Sequence, residues 1–228
     1  MKTVIVLLLA STSVFAAVPQ VSVEELLSLP DANRKLIAQM QSKDFYKKVV
    51  HVAFNEQKPM SVRWKALMLA ADMGKKSASE DLVKASKSND WFMRNASLIA
   101  LKDQDEELSF KVAKKLIQDK ALVVRSAAVD IVANSKNPEA RGVLWEELNK
   151  KYNFKNSSSL WIRAKITESL AEKPEAYEKN QFVKILSEKD VKMQQQAVTA
   201  LEKITGNVLG DKTANLNKKV ALWKKATL

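Results

Sequence analysis

The chain has 228 residues, of which 46% are hydrophobic, so it can bury a substantial core and is not a largely disordered chain. Only four Gly and five Pro are present, too few for a turn-rich β protein, and the absence of Cys excludes disulfides and thiolate metal sites. The formal net charge of +12 is compatible with binding to nucleic acid, with binding to anionic lipid, or with a charged surface that only keeps the protein soluble. The positions of the charges must decide between these roles.

The first residues have the three parts of a secretory signal. Lys2 supplies a charged region, residues 4–10 form an apolar run, and residues 14–16 (Val-Phe-Ala) are a cleavage site of the small-x-small type. The apolar run is shorter than the roughly 20 residues that a spanning helix needs, and no later segment is long enough either. We therefore predict cleavage after Ala16 and an exported protein, periplasmic or secreted. An N-terminal core helix is the alternative.

Helical patterns account for nearly all of the remaining chain. Short helices are predicted at 24–29 and 31–41, followed by one at 43–54 and one that carries Arg63 and ends at Gly74, a natural left-handed cap. The two-helix plan then recurs, and Gly206 and Gly210 end it. The later helices are predicted at 79–87, 90–101, 106–118, 121–133, 139–152, 160–171, 175–187, 190–204 and about 213–226.

The spacing of the arginines indicates a repeat. Four of the six arginines, Arg63, Arg94, Arg125 and Arg163, are 31, 31 and 38 residues apart, and a further 31 residues lead to Gln194. Each of these register residues opens an apolar helical run, and a fixed period of this size is typical of stacked supersecondary units. The longer interval holds about two extra helical turns, which we expect to bulge outward.

Two units carry a recognisable motif, which resembles the HEAT repeat. The motif is an Asp, a Val-Arg-like pair three residues later, and small residues three and six positions beyond the pair. It occurs as Asp90-x-x-Met93-Arg94 with Ser97, Ala100 and Leu101, and as Asp190-x-x-Met193-Gln194 with Ala197, Ala200 and Leu201.

The resemblance covers about residues 43–226 and implies an all-α fold. The expected architecture is a right-handed, armadillo-like α-solenoid of about five stacked helix-turn-helix repeats with terminal capping helices. The expected organisation is a signal peptide at 1–16, capping helices at 17–42, the repeat array at 43–205 and a C-terminal capping helix at 206–228. The family hosts scaffolds, receptors and some enzymes, so the resemblance is specific for fold and not for function.

The sequence offers little catalytic chemistry. His51 is the only histidine, and no Gly-rich phosphate loop or serine-nucleophile motif is present. The acidic cluster at 103–107 could be a weak Ca²⁺ site, but it lacks the central Gly and distal Glu of an EF-hand loop and lies where acids favour a helix start. We therefore expect no catalytic, cofactor-binding or metal-binding residues and a protein that is not an enzyme.

Helical geometry sorts each inner helix into two faces. At about 100° per residue, positions −1, +3, +6, +7 and +10 from the register residue share the core side, and −2, +1, +5, +8 and +9 lie opposite. In HEAT-like solenoids the opposite side lines the concave surface, whereas the register residues pair with a neighbouring unit or cap carbonyls. The candidate partner-binding residues on the concave face are Trp64, Met68, Trp91, Asn95, Ile99, Asp130, Trp161 and Glu168.

This apolar-to-acidic stripe suits a protein or peptide, so we predict a non-enzymatic scaffold that binds its partner through the concave face. The tryptophans could instead fill joints between units. The alternative function is a nucleic-acid-binding protein or an enzyme similar to the HEAT-like DNA glycosylases, favoured by the basic charge and five Trp. Export and the mixed signs of charge along the stripe oppose it. Many lysines fall on outer helices, which leaves contact with an anionic surface open.

Overall fold

The structure, a computed structural model, describes residues 21–156, 158–210 and 213–226. The predicted signal peptide lies outside these residues. The described helices are α1 (Val23–Ser28), α2 (Asp31–Gln39), α3 (Lys43–Phe54), α4 (Met60–Gly74), α5 (Ser79–Ala85), α6 (Trp91–Lys102), α7 (Glu106–Leu116), α8 (Leu122–Asn134), α9 (Ala140–Leu148), α10 (Trp161–Glu172), α11 (Lys179–Ile185), α12 (Val191–Thr205) and α13 (Leu216–Ala226). Short 3-10 helices at Lys75–Ala78, Lys151–Asn153 and Ala176–Glu178 and a two-stranded hairpin, β1 (Phe154–Lys155) and β2 (Ser158–Ser159), complete the described elements.

These helices form an all-α solenoid, as predicted. The inner helices α4, α6, α8, α10 and α12 pack against one another in succession, and each also packs against the outer helix that precedes it in the chain. A single hydrophobic cluster extends from Val23 in α1 to Trp223 in α13. Among the described residues, no helix is long and apolar enough to cross a membrane.

Most of the predicted core positions are buried, but the position ten residues after each register residue is not. Around Arg125, the side chains of Val124, Ala128, Ile131 and Val132 all lie in the interior, and Ala128 has no exposed surface. Four of the five units have a small side chain at the third position after the register residue, which allows inner and outer helices to approach closely; the Arg163 unit has the buried Ile166 there.

The turn after α4 differs from the prediction. Gly74 has a helical φ of −82°, and the left-handed residue is Lys75, with φ of 45°. Gly74 is needed for another reason: a Cβ there would lie 2.8 Å from the Cβ of Ala78 and 2.9 Å from a ring carbon of Tyr46. Close packing against the outer helices, rather than a left-handed cap, therefore requires glycine at this position.

Most of the extra residues before α10 are exposed, as an outward bulge requires, but one of them points inward. The predicted long helix at 139–152 ends at Leu148, and the chain continues through the 3-10 helix and the hairpin. Asn153 has no exposed surface, and its side-chain oxygen accepts a hydrogen bond from Arg125 at 2.6 Å. The insertion thus supplies an inward-pointing polar group that the neighbouring unit uses.

Candidate functional site

Each register arginine links the start of its own inner helix to the start of the next. The acceptor is always a side chain in the segment that leads into the following inner helix, 25 to 28 residues further along the chain. Since each contact joins start to start, the beginnings of the inner helices lie side by side along one edge of the solenoid. We call these contacts the register bridges: Arg63–Asp90, Arg94–Asp119, Arg125–Asn153 and Arg163–Glu188.

The bridge between Arg94 and Asp119 is the most enclosed ion pair of the set, with side chains 8% and 5% exposed. Two guanidinium nitrogens of Arg94 donate to the two carboxylate oxygens of Asp119, at 2.5 and 2.7 Å. A third donates to the carbonyls of Ser88 and Asn89, both at 2.9 Å. Burial alone would raise the pKa of Asp119, but the hydrogen bonds from Arg94 and from the backbone of Ala121 hold that pKa below its usual range.

Arg163 is the most buried register residue, with 1% of its surface exposed. It donates to the carbonyl of Leu148 and to the carboxylate of Glu188, and its guanidinium lies 4.3 Å from the centre of the Phe154 ring. Gln194 also caps carbonyls, donating at 2.7 Å to that of Glu188. The register side chains therefore bind helix ends and neighbouring units, and they line no part of the groove described next.

A groove of about 990 Å³ opens between α2, α4 and α6. Three candidate residues, Trp64, Met68 and Ile99, contribute to its apolar part, together with Leu69 and Met73. Trp64 and Met68 are half-buried and Ile99 is 40% exposed. Helix α2 packs against α4 and forms one wall. We call this cavity the α4–α6 groove.

Charged side chains line the rest of the α4–α6 groove, with cations in excess. Two acids are neutralised locally: Asp31 pairs with Arg34, and Asp72 with Lys35 at 3.4 Å. Within the described part of the chain, no ion pair engages the remaining lining charges. These are Lys65, Lys75, Lys76 and Asp103.

Gln104 is a lining residue that the sequence analysis missed. Its side-chain nitrogen donates to the carbonyl of Ala71 at 2.9 Å, whereas its side-chain oxygen is shielded and accepts no hydrogen bond. Because this oxygen has almost no accessible surface, it cannot meet a ligand N–H in the groove unless the side chain moves. Gln104 lies ten residues after Arg94, a position that helical periodicity assigns to the core, so the sequence contained no signal for this role.

Several predicted partner-binding residues lie elsewhere. Asn95 is only 7% exposed, so its assignment to an exposed face is wrong. It lies one residue after Arg94, and the equivalent residues Trp64 and Ala164 are also largely covered. The cause is side-by-side packing of successive inner helices, which encloses this position at the joint between units.

The other candidates are exposed but do not line the α4–α6 groove. Trp91 and Trp161 are the first residues of α6 and α10, with 43% and 50% of their surface exposed, and lie on the edge that carries the helix starts. Asp130 and Glu168 are paired across units, with Lys165 at 2.7 Å and Lys192 at 3.1 Å respectively.

The described residues contain no group of three or more His, Asp or Glu side chains arranged to hold a metal ion. In the acidic cluster, Asp105 accepts from the backbone of Leu108 at 2.9 Å and caps α7, and Glu106 accepts from the backbone of Lys136 at 3.0 Å. These two carboxylates therefore serve the ends of helices.

No protein-family model matches the chain, and no curated protein matches it. Among solved structures, it is similar to the complex of CpcE and CpcF of phycocyanin lyase from Nostoc sp. PCC7120, with 12% identity and a TM-score of 0.31. The match covers 96% of this chain and 100% of that chain.

At this TM-score the likeness carries no argument about function. The HEAT-like resemblance therefore depends on the residue motif and the stacked helix pairs. The matched protein is nevertheless described as a lyase, which contradicts the expectation that this chain is not an enzyme. That expectation is withdrawn.

Proposed function

We propose that the protein is an exported scaffold that binds a protein or peptide in the α4–α6 groove. The observation that supports this most directly is the apolar surface of Trp64, Met68 and Ile99 within a cavity of about 990 Å³. An exposed apolar surface enclosed by polar side chains is typical of interaction sites, and a partly enclosed tryptophan is the kind of residue that dominates binding energy.

The charges of the groove indicate what the ligand contains. An apolar side chain of the ligand would pack against Trp64 and Met68, and flanking carboxylates would meet Lys65, Lys75 and Lys76. The preferred ligand is therefore a segment with an apolar anchor between acidic residues, from a partner in the exported compartment.

The experiment begins with affinity capture by the mature protein from the extracytoplasmic fraction, followed by a binding titration on the captured partner. Trp64→Ala should weaken binding by about 2 kcal/mol or more, roughly thirtyfold in Kd. Trp91→Ala is the matched control, because it removes an exposed tryptophan that lies outside the groove, and it should leave binding nearly unchanged.

Thermal unfolding separates loss of binding from loss of the fold. Leu67 has no exposed surface, so Leu67→Ala should cost about 2–5 kcal/mol of stability, and Trp64→Ala should cost clearly less. The proposal is wrong if Trp64→Ala unfolds the protein like Leu67→Ala while Lys84→Ala, on an outer helix, abolishes binding.

A further inference from the structure

Every unit exposes a large apolar side chain at the same place. In each case it is the first or second residue of the inner helix, and it lies two or three residues before the register residue. Large apolar side chains are usually buried in the core of a repeat protein. Because these are exposed at the same position in all five units, they differ from apolar residues scattered singly over a surface. The five exposed fractions are 52% for Met60, 43% for Trp91, 45% for Val123, 50% for Trp161 and 64% for Val191.

The five side chains lie along one edge of the solenoid. The register bridges connect the start of each inner helix to the start of the next, so these starts are neighbours in space. Packed helices are about 8–10 Å apart, so the row extends over roughly 40 Å. We call this row and the segments that lead into it the helix-start edge.

The helix-start edge is also basic. Five exposed lysines in the segments before the inner helices form no ion pair within the described ranges, whereas Lys58 pairs with Glu24 and Lys150 with Glu146. Most acids of the same segments are occupied: Asp90, Asp119 and Glu188 bind the buried register arginines, whereas Glu56, before α4, is exposed and forms no ion pair in the described part of the chain. The result is an apolar row flanked by unneutralised cations: Lys87, Lys120, Lys151, Lys155 and Lys189.

A hollow of about 750 Å³ opens on this edge between the hairpin and the start of α12. Ser159, Lys184 and Lys189 are among its lining residues. Its acids are engaged, since Glu188 binds Arg163 and Asp190 caps α12 through the backbone of Lys192 and Met193. Hydroxyl and ammonium donors beside an apolar row suit an anionic headgroup whose acyl chains lie next to it.

We propose that the helix-start edge binds the surface of an anionic lipid bilayer. Tryptophan partitions into the interface between headgroups and hydrocarbon, and lysine extends its ammonium group toward the headgroups. Each lysine close to an anionic membrane surface strengthens binding about fivefold. Nucleic acid or an acidic protein would engage the lysines but would leave Met60, Val123 and Val191 without an apolar contact.

Co-sedimentation of the mature protein, residues 17–228, with vesicles tests the proposal. Vesicles of phosphatidylglycerol and phosphatidylcholine should bind the protein, and vesicles of phosphatidylcholine alone should not. The edge variant Lys87→Glu/Lys155→Glu/Lys189→Glu should lower the partition coefficient at least about tenfold. The control variant Lys48→Glu/Lys111→Glu/Lys179→Glu changes the net charge equally, at exposed lysines of the outer helices α3, α7 and α11, and should bind within about threefold of the parent.

The apolar row is tested separately. Trp91→Ser/Trp161→Ser should weaken binding to the anionic vesicles at least about tenfold with no change in net charge. The parent should also show a blue shift of tryptophan emission on these vesicles, and the double variant should lose most of it. Circular dichroism and thermal midpoints equal to those of the parent show that each variant is folded.

Three results would overturn the proposal. The first is equal loss of binding in the edge and control variants, which would show that only net charge matters. The second is unchanged binding of Trp91→Ser/Trp161→Ser. The third is binding of polyglutamate or a single-stranded oligonucleotide as tightly as anionic vesicles at the same ionic strength, which would identify a general polyanion surface.

Discussion

Replacing Arg94 with Met would test how the units are held together. Methionine retains much of the apolar stem but removes the guanidinium, which makes four hydrogen bonds at 2.5 to 2.9 Å to Asp119 and to the carbonyls of Ser88 and Asn89. The carboxylate of Asp119 would remain, with its side chain only 5% exposed and with backbone donation from Ala121 as its remaining hydrogen bond.

Arg94→Met should lose much of its stability, because the buried charge of Asp119 keeps its desolvation penalty when its partner is removed. Breaking such a pair from one side costs about 3–5 kcal/mol, against a typical total stability of about 5–15 kcal/mol. Lys114→Met is the matched control, because Lys114 pairs with Glu139 at the surface, where the side chains are 48% and 62% exposed. Loss of that pair should cost about 0–1 kcal/mol.

Denaturant unfolding at several pH values measures both variants and tests the cause. In the parent, the pKa of Asp119 is lowered on folding, so its stabilising contribution is present above the unfolded pKa of about 3.9 and is lost as pH falls through the folded pKa. In Arg94→Met, burial is no longer opposed by Arg94, and the folded carboxyl is protonated at a higher pH. The difference in the free energy of unfolding between parent and variant should therefore become smaller at acidic pH. A loss below about 1 kcal/mol, or one that does not change between pH 7 and pH 3, would refute this reasoning.

Three further predictions concern the core, a buried acid and export. Ala128→Leu should overpack the joint between α7 and α8 and cost about 1–3 kcal/mol in thermal unfolding; an unchanged midpoint would mean that this position is not tightly packed. Burial raises the pKa of Glu147, although hydrogen bonds from Tyr152 and Asn153 oppose the rise. The parent should therefore lose stability relative to Glu147→Gln as the pH rises from below the ordinary carboxyl pKa to above the raised pKa of the folded state, and a stability difference independent of pH would contradict this. Intact-mass measurement of exported protein should give Ala17 as the first residue, and full-length protein in the cytoplasm would contradict export.

The stacked helix pairs could be predicted because their causes are periodic. A register residue every 31 residues and apolar residues at helical spacing are consequences of stacking itself, so they appear in the sequence of each unit. The bounds of α3, Lys43–Phe54, agree with the prediction because Ser42 provides a side-chain cap and the apolar stripe is clear. Where the period is interrupted, as at the hairpin before α10, the chain is held by contacts that sequence spacing does not reveal, such as those of Asn153 with Arg125 and Glu147.

The candidate site was less predictable, because the exposure of a helix face depends on which neighbouring helices cover it. Helical geometry turns Asn95 away from the unit's own core, but it contains no information about α4 and α8, which enclose that side of α6. The contribution of α2 to the α4–α6 groove was missed for the same reason, since it comes from outside the repeat. Trp64, Met68 and Ile99 were identified because they are apolar where other units are polar.

Two kinds of residue recur in the units, the register residues and the apolar residues at the helix starts, and they differ in exposure. The register arginines recur and are buried, so recurrence there reflects the stack. The apolar residues at the helix starts also recur, but they are exposed, and stacking does not require them. Yet the two sets are coupled: by binding the acids that precede the inner helices, the arginines leave the adjacent lysines as the dominant charges of the helix-start edge. Arg163→Met would free Glu188 beside Lys189, so it should weaken binding to anionic vesicles even under conditions in which the fold is retained.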